Sequence, residues 1–148
     1  SPYTVLVFWD PSCGHCKKEI PKLKDMYAKY KDKGVEIFAV GTEPENKDWK
    51  KYIRENNLMW INAKDNEAIR KDPYPYLKYT TVESLNYRST YDIYSTPRIF
   101  LLDENKKIIA KQIGAEQLEE ILEKKIKSHV EDFKKAPFND TPFNDNAH

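Results

Sequence analysis

Two rhythms of apolar and polar positions alternate along this chain. Thr4-Val5-Leu6-Val7-Phe8-Trp9 is β-branched and aromatic with apolar residues on both faces, which predicts a buried central strand of a parallel sheet. Asp10-Pro11-Ser12 breaks the run. From Cys13 onward, Ile20, Leu23, Tyr27 and Tyr30 recur at spacings of three and four, so an amphipathic helix is expected, closed by Gly34. Val35 to Val40 is a second buried strand and Gly41 to Pro44 a turn. Lys47 to Asn56 then sets Trp49, Tyr52 and Ile53 on the apolar side of a second helix. Strand, helix, strand, helix is the pattern of a parallel sheet with crossover helices.

The second half changes character. Arg98 to Leu102 predicts a strand, Asp103 to Lys107 a polar turn, and Ile108 to Lys111 a strand that returns as an antiparallel hairpin. A last helix is expected from about Glu116 to Lys135, acidic at its start and lysine-rich later, with Leu118, Ile121, Leu122, Ile126, Val130 and Phe133 in one stripe. Residues 61–95 show no clear period. Tyr74, Tyr76, Tyr79, Tyr87, Tyr91 and Tyr94 crowd there. Asp72-Pro73-Tyr74-Pro75 predicts a loop, because each proline pushes its predecessor out of the helical region, and Ser84 to Tyr91 a short helix. The stretch is taken as an insertion before the third strand. Residues 1–136 are then one domain, and 137–148, with a doubled Pro-Phe-Asn-Asp, an irregular tail.

Composition narrows the classes. With 148 residues, 33% charged and 39% apolar, the chain is long enough for one domain with a core. Ten tyrosines argue against disorder. A net charge of +1 points to neither nucleic acid nor an anionic membrane as partner, and no apolar run is long enough to span a membrane. The chain is inside a strand by Thr4, the expected look of a domain excised from a longer protein, so the lack of a signal peptide leaves the compartment open.

The candidate chemistry lies in WDPSCGHCKKEIP, residues 9–21, which holds both cysteines of the chain. Zinc would need four ligands, and the three histidines, His15, His129 and His148, are not spaced to complete a set with Cys13 and Cys16. A purely structural disulfide across so short a loop would stabilise little. A redox dithiol fits the surroundings better. A strand delivers the chain to a short loop, and Cys13 falls at the first turn of a helix, where free N–H groups and the dipole favour a thiolate. Cys13 is then the exposed attacking sulfur, and Cys16, one turn on, the resolving one. Gly14 leaves room for a partner's backbone, and His15 brings an imidazole that favours the thiolate form.

A Cys-x-x-Cys opening a helix after a strand, in a β-α-β context, resembles the thioredoxin-like superfamily over nearly the whole chain. Phe8-Trp9 before the motif, Pro21 five residues after Cys16, and Thr96-Pro97 before the third strand carry the resemblance further. Cys16-Lys17-Lys18-Glu19-Ile20-Pro21 and Thr96 to Asp103 are similar to the TlpA/ResA-like branch of extracytoplasmic bacterial oxidoreductases, of the type found in Bacteroides-like multidomain proteins. The resemblance implies an α/β thioredoxin-like fold, a central mixed sheet flanked by helices, with the insertion before the cis-proline strand. It implies a thiol–disulfide oxidoreductase without cofactor or metal, in the periplasm or another extracytoplasmic space. Its substrates would be protein disulfides or dithiols, and a redox partner would recycle the pair.

Cys13 and Cys16 would be catalytic, with Gly14 and His15 tuning them and Trp9, Thr96 and Pro97 contacting substrate. Val7 stands where thioredoxins carry a buried aspartate, so Glu19, matching an acidic residue of the ResA-like branch, is the expected substitute proton acceptor. Gly-His between the cysteines matches protein disulfide isomerase rather than thioredoxin, which leaves the direction of electron flow open. Three rivals remain. A thiol peroxidase would want a threonine three residues before Cys13, where Asp10 stands. A copper metallochaperone would want a distant histidine, and a scaffold for binding alone would have no need of two cysteines.

Overall fold

The computed structural model describes residues 2–43, 46–64, 68, 71, 72, 75, 87–91, 93 and 95–135, of which 87, 90 and 129–135 are described by their backbone alone. The Tyr74, Tyr76, Tyr79 and Tyr94 part of the expected insertion, residues 84–86 of its expected short helix, and the tail from Pro137 lie outside these residues.

The elements in chain order are β1 (Tyr3–Trp9), α1 (Gly14–Tyr30), β2 (Val35–Gly41), α2 (Trp49–Glu55), β3 (Ile61–Lys64), α3 (Tyr87–Thr90), β4 (Arg98–Leu102), β5 (Ile108–Lys111) and α4 (Ala115–Lys135). The strands form one mixed sheet in the order β3-β2-β1-β4-β5. β1 sits at its centre, parallel to β2 with Val5 opposite Ile37, and antiparallel to β4 with Phe8 opposite Arg98. β4 and β5 form the expected antiparallel hairpin. The expected mixed α/β architecture is therefore present.

One expectation is corrected. Residues 61–64, assigned above to the insertion, form β3, which pairs parallel to β2 with Phe38 opposite Ile61. A strand of four residues at a sheet edge needs no apolar alternation, because only one neighbour and one face constrain it. Its sequence, Ile-Asn-Ala-Lys, carries almost no signal for that reason.

The main core lies between the sheet and the helices α1 and α4. Val5, Val7 and Trp9 of β1 and Val35, Ile37 and Ala39 of β2 meet Cys16, Ile20, Leu23 and Met26 of α1 and Leu118 and Leu122 of α4. β2 alternates buried and more open positions with period two, as a strand with one fully buried face must. On the other face Phe8, Phe100 and Ile93 form a smaller cluster with Leu6, Val40 and Tyr91. Its rings meet edge-on, Tyr91 to Phe100 at 5.4 Å and Phe8 to Phe100 at 6.0 Å between centroids.

The ends of α1 follow from local chemistry. A single 3₁₀ turn, Lys31–Lys33, runs on from it, and Gly34 then takes φ 91°, the left-handed conformation that stops a helix and that glycine adopts most cheaply. At its start, Cys13 itself is the N-cap, with extended backbone (φ −83°, ψ 122°) and its sulfur accepting the Cys16 N–H.

Candidate active site

β1 ends at Trp9, and the three residues Asp10-Pro11-Ser12 carry the chain to Cys13. On the neighbouring antiparallel strand Arg98 lies opposite Phe8. Thr96 and Pro97, just before Arg98, are thereby brought to the same end of the sheet as the cysteines. The Thr96–Pro97 peptide bond is cis, and the Cys13 thiol donates to the Thr96 carbonyl at 3.2 Å. Two segments more than eighty residues apart in sequence meet at one sulfur.

Both cysteines are free thiols, Cys13 partly exposed and Cys16 buried. Cys16 N–H points at Cys13 Sγ, 3.3 Å away. Burial pushes Cys13 up, but the Thr96 side chain, the Cys16 thiol, and the N–H groups of Cys16 and His15 outweigh it and hold the thiol below its ordinary value of 9.0. Cys16 goes the other way. Burial pushes its thiol up to about 12, against a smaller opposing pull from the Asp10 N–H. A neighbouring thiolate at Cys13 adds to the rise. One turn of helix thus holds an anion-ready sulfur at the surface and a proton-holding sulfur beneath it.

The other expected site residues are distributed as follows. Gly14 faces open space, with nothing within 4 Å of where a Cβ would stand. His15 is exposed, and its backbone N–H faces the Cys13 sulfur. Thr96 and Pro97 are half-buried. Glu19 sits one turn beyond Cys16, and its Oε1 accepts the Ala115 N–H at 3.0 Å while Lys22 lies 3.5 Å from Oε2. Its carboxylate therefore caps the first turn of α4, where the helix dipole favours a negative charge. Gly114 makes room for this, since a Cβ there would stand 2.9 Å from Glu19 Oε1.

Trp9 requires a correction. Expected at the contact surface, it is wholly buried, with its ring 5.4 Å from that of Tyr52. It is the last residue of a central strand and points to the helix-covered face, so its indole is core and not a surface that substrate can touch.

Two neighbours of the dithiol had no sequence signal. Burial pushes the Tyr52 phenol up, and the negative charge of a Cys16 thiolate adds to it, which places this α2 side chain beside the buried sulfur. Asn46, in the loop after β2, donates from Nδ2 to Asp10 Oδ1 and to Ser12 Oγ, both at 2.9 Å. The sequence sets Tyr52 on an apolar helix face and Asn46 in no pattern; only the parallel pairing of β1 and β2 brings them to the cysteines. Among the described residues no group of three or more His, Cys, Asp or Glu side chains is arranged to hold a metal ion. No described helix is long and apolar enough to cross a membrane.

A family model described as thioredoxin-like matches residues 2–108. The thiol-disulfide oxidoreductase ResA of Bacillus cereus is 33% identical over 122 residues, covering 80% of this chain and 61% of that protein. The chain thus spans about three-fifths of the length of such curated relatives. Among solved structures, a domain of a possible thiol-disulfide isomerase from Cytophaga hutchinsonii is 39% identical with a TM-score of 0.68, over 88% of this chain and 79% of that one. A thiol:disulfide interchange protein from Bacteroides sp. is 31% identical with a TM-score of 0.66, over 84% of this chain and 73% of that one. A dithiol at the start of α1, a cis-proline segment against it and a sheet with this strand order, matched by a family model over most of the length, lead to one assignment: the chain belongs to the thioredoxin-like family.

Proposed function

We propose that the chain is a thiol–disulfide oxidoreductase in which Cys13 and Cys16 exchange with disulfides or dithiols of extracytoplasmic proteins. The observation that supports this most is the asymmetry of the pair, one thiol held below its ordinary value at a helix N-cap and the other pushed up to about 12 in the core beneath.

A substrate strand lies along Thr96-Pro97, and the open space over Gly14 admits its backbone. The Cys13 thiolate attacks one sulfur of the substrate disulfide; a Cys13–substrate S–S bond forms, the substrate S–S bond breaks, and the second substrate sulfur leaves as thiolate. Cys16 then attacks Cys13 Sγ. The Cys13–Cys16 bond forms, the mixed bond breaks, and the remaining substrate sulfur leaves as thiolate with the bonding pair. The Cys16 proton passes to Glu19 or to water, and His15 beside the thiols biases the poise. Two electrons move from the dithiol to the substrate, and a partner dithiol returns them. Run backwards, the same steps oxidise a substrate dithiol.

The burial of Cys16 suits the two-step order. While its sulfur keeps its proton it leaves Cys13 free to find a substrate, and it becomes a nucleophile as the mixed disulfide forms next to it. Equilibration against glutathione with thiol trapping tests the proposal. A couple near about −270 mV makes the chain a reductant, and one near about −180 mV an isomerase or oxidant. A pair that never cycles would end the reading and bring back copper binding or a scaffold role.

A further inference from the structure

The loop that carries Cys13 is held from the far side of β2. Asp10 is the one charged residue in the buried set among the described residues, 7% exposed. A buried carboxylate is costly unless its oxygens are hydrogen-bonded. Here Oδ2 accepts the Ser12 N–H and Oδ1 accepts Asn46 Nδ2, both at 2.9 Å. The same amide also donates to Ser12 Oγ at 2.9 Å, so one side chain grips both ends of the Asp10-Pro11-Ser12 loop.

Asn46 is itself fixed on three sides. Its Oδ1 accepts the Asp48 N–H at 2.8 Å, its N–H donates to the Glu43 carbonyl at 3.1 Å, and its carbonyl accepts from Lys64 Nζ at 3.0 Å. The Lys64 ammonium is held in turn over the Trp49 ring. The clamp is therefore tied to β3 and α2 rather than floating in solvent.

What Asn46 grips matters because the Asp10 backbone meets both cysteines, Cys13 at its amide and Cys16 at its sulfur. Its carbonyl accepts the Cys13 N–H at 3.0 Å, and its N–H faces the Cys16 sulfur. We propose that Asn46 is a positioning residue for the dithiol: by holding the Asp10 carboxylate and the Ser12 hydroxyl it keeps the strand-to-helix loop in the one shape that sets Cys13 as the N-cap of α1. This rests on the exchange reading above. Without Asn46 the buried Asp10 Oδ1 loses its partner, and the carboxylate must turn toward water. That turn shifts the backbone that meets the Cys13 amide and the Cys16 thiol, and so loosens the thiolate-favouring cap.

The sign follows. A less stabilised thiolate destabilises the reduced form, so the couple becomes more reducing and Cys13 less reactive. For Asn46→Ala the expected result is a Cys13 alkylation rate at pH 7 lower by about threefold or more, with a more negative potential against glutathione. Asn46→Asp, which keeps the shape but sets a second carboxylate against Asp10, shifts both readouts at least as far. Asn46→Gln, which keeps the amide, recovers part of the loss. If Asn46→Ala does not fold, Ser12→Ala decides, since it deletes one arm of the clamp at an exposed residue: a smaller shift in the same direction supports the proposal, and wild-type values overturn it. Variants that melt earlier but keep the wild-type rate and potential would show a merely structural role and also overturn it. The two readings fail separately. If the wild type does not cycle with glutathione the exchange reading falls, while the alkylation rates still decide whether Asn46 positions Cys13.

Discussion

The sharpest consequence of the site is that Cys16 stays protonated through the neutral range because it is buried, and removing Cys13 tests it. With the Cys16 thiol moved from 9.0 to about 12, its thiolate fraction at neutral pH is about a thousandfold below that of an ordinary exposed thiol. Burial is the largest cause, whereas the hydrogen bond and the charge of Cys13 are smaller ones. Cys13→Ala deletes the smaller causes and leaves the burial. Iodoacetamide alkylation of Cys16 in that variant, followed by intact mass from pH 6 to 11, should therefore run about a hundredfold or more slower at pH 7 than alkylation of Cys13 in Cys16→Ala. The limited access to a buried sulfur adds to the difference in the same direction. Denaturation in guanidinium should erase the gap, which separates an effect of the fold from one of the local sequence. If Cys16 in folded Cys13→Ala reacts as fast as Cys13, or titrates below 9, burial is not what holds its proton, and the asymmetry argument for the mechanism collapses.

Three further predictions follow from the same contacts. The folded state favours the protonated Cys16 thiol, so this contribution to stability is whole below pH 9 and fades as the pH rises toward about 12; about 4 kcal/mol is lost across that window. Denaturant titrations at pH 8 and 11 should show a larger loss for the reduced protein than for the oxidised protein, which has no Cys16 thiol to titrate. Glu19→Gln replaces the carboxylate on the Ala115 N–H by a neutral acceptor and should lower stability by about 0.5–1 kcal/mol. A longer-lived Cys13 mixed disulfide in that variant, measured by quench and mass, checks the proton-acceptor role, and an unchanged lifetime removes it. Trp9→Ala opens a cavity under the site and should cost about 3–5 kcal/mol by denaturant unfolding. A loss of less than about 1 kcal/mol would contradict the buried placement of the indole.

How much of this was legible beforehand depends on the range of the signal. β1, α1 and β2 were readable because each carries its period in its own residues: TVLVFW for a strand buried on both sides, and Ile20, Leu23, Tyr27 and Tyr30 for a helix. That Cys13 falls where a helix begins is readable for the same reason, since a loop followed by a helix puts the first cysteine where amides are free; its place as the N-cap itself comes from the structure. β3 was not readable, because a four-residue edge strand is defined by its neighbour β2 rather than by its own pattern. The core placement of Trp9 is not readable, because proximity in sequence to Cys13 says nothing about which face of β1 an alternating side chain takes.

The sequence by itself thus determined the local units and the chemistry they bring: a dithiol on a helix start, an X-Pro pair before a late strand, and the family that such a combination resembles. The tertiary structure alone decided what meets what. Antiparallel pairing of β1 with β4 sets Thr96 against Cys13, parallel pairing of β1 with β2 brings Asn46 to Asp10, and the packing of α1 against α4 gives Glu19 the Ala115 N–H as its partner. The physical reason is the reach of each interaction. Propensity and amphipathic period act over a turn or two of chain, whereas a hydrogen bond or a burial-driven pKa depends on groups that only the closed sheet and its packed helices bring within about 3 Å.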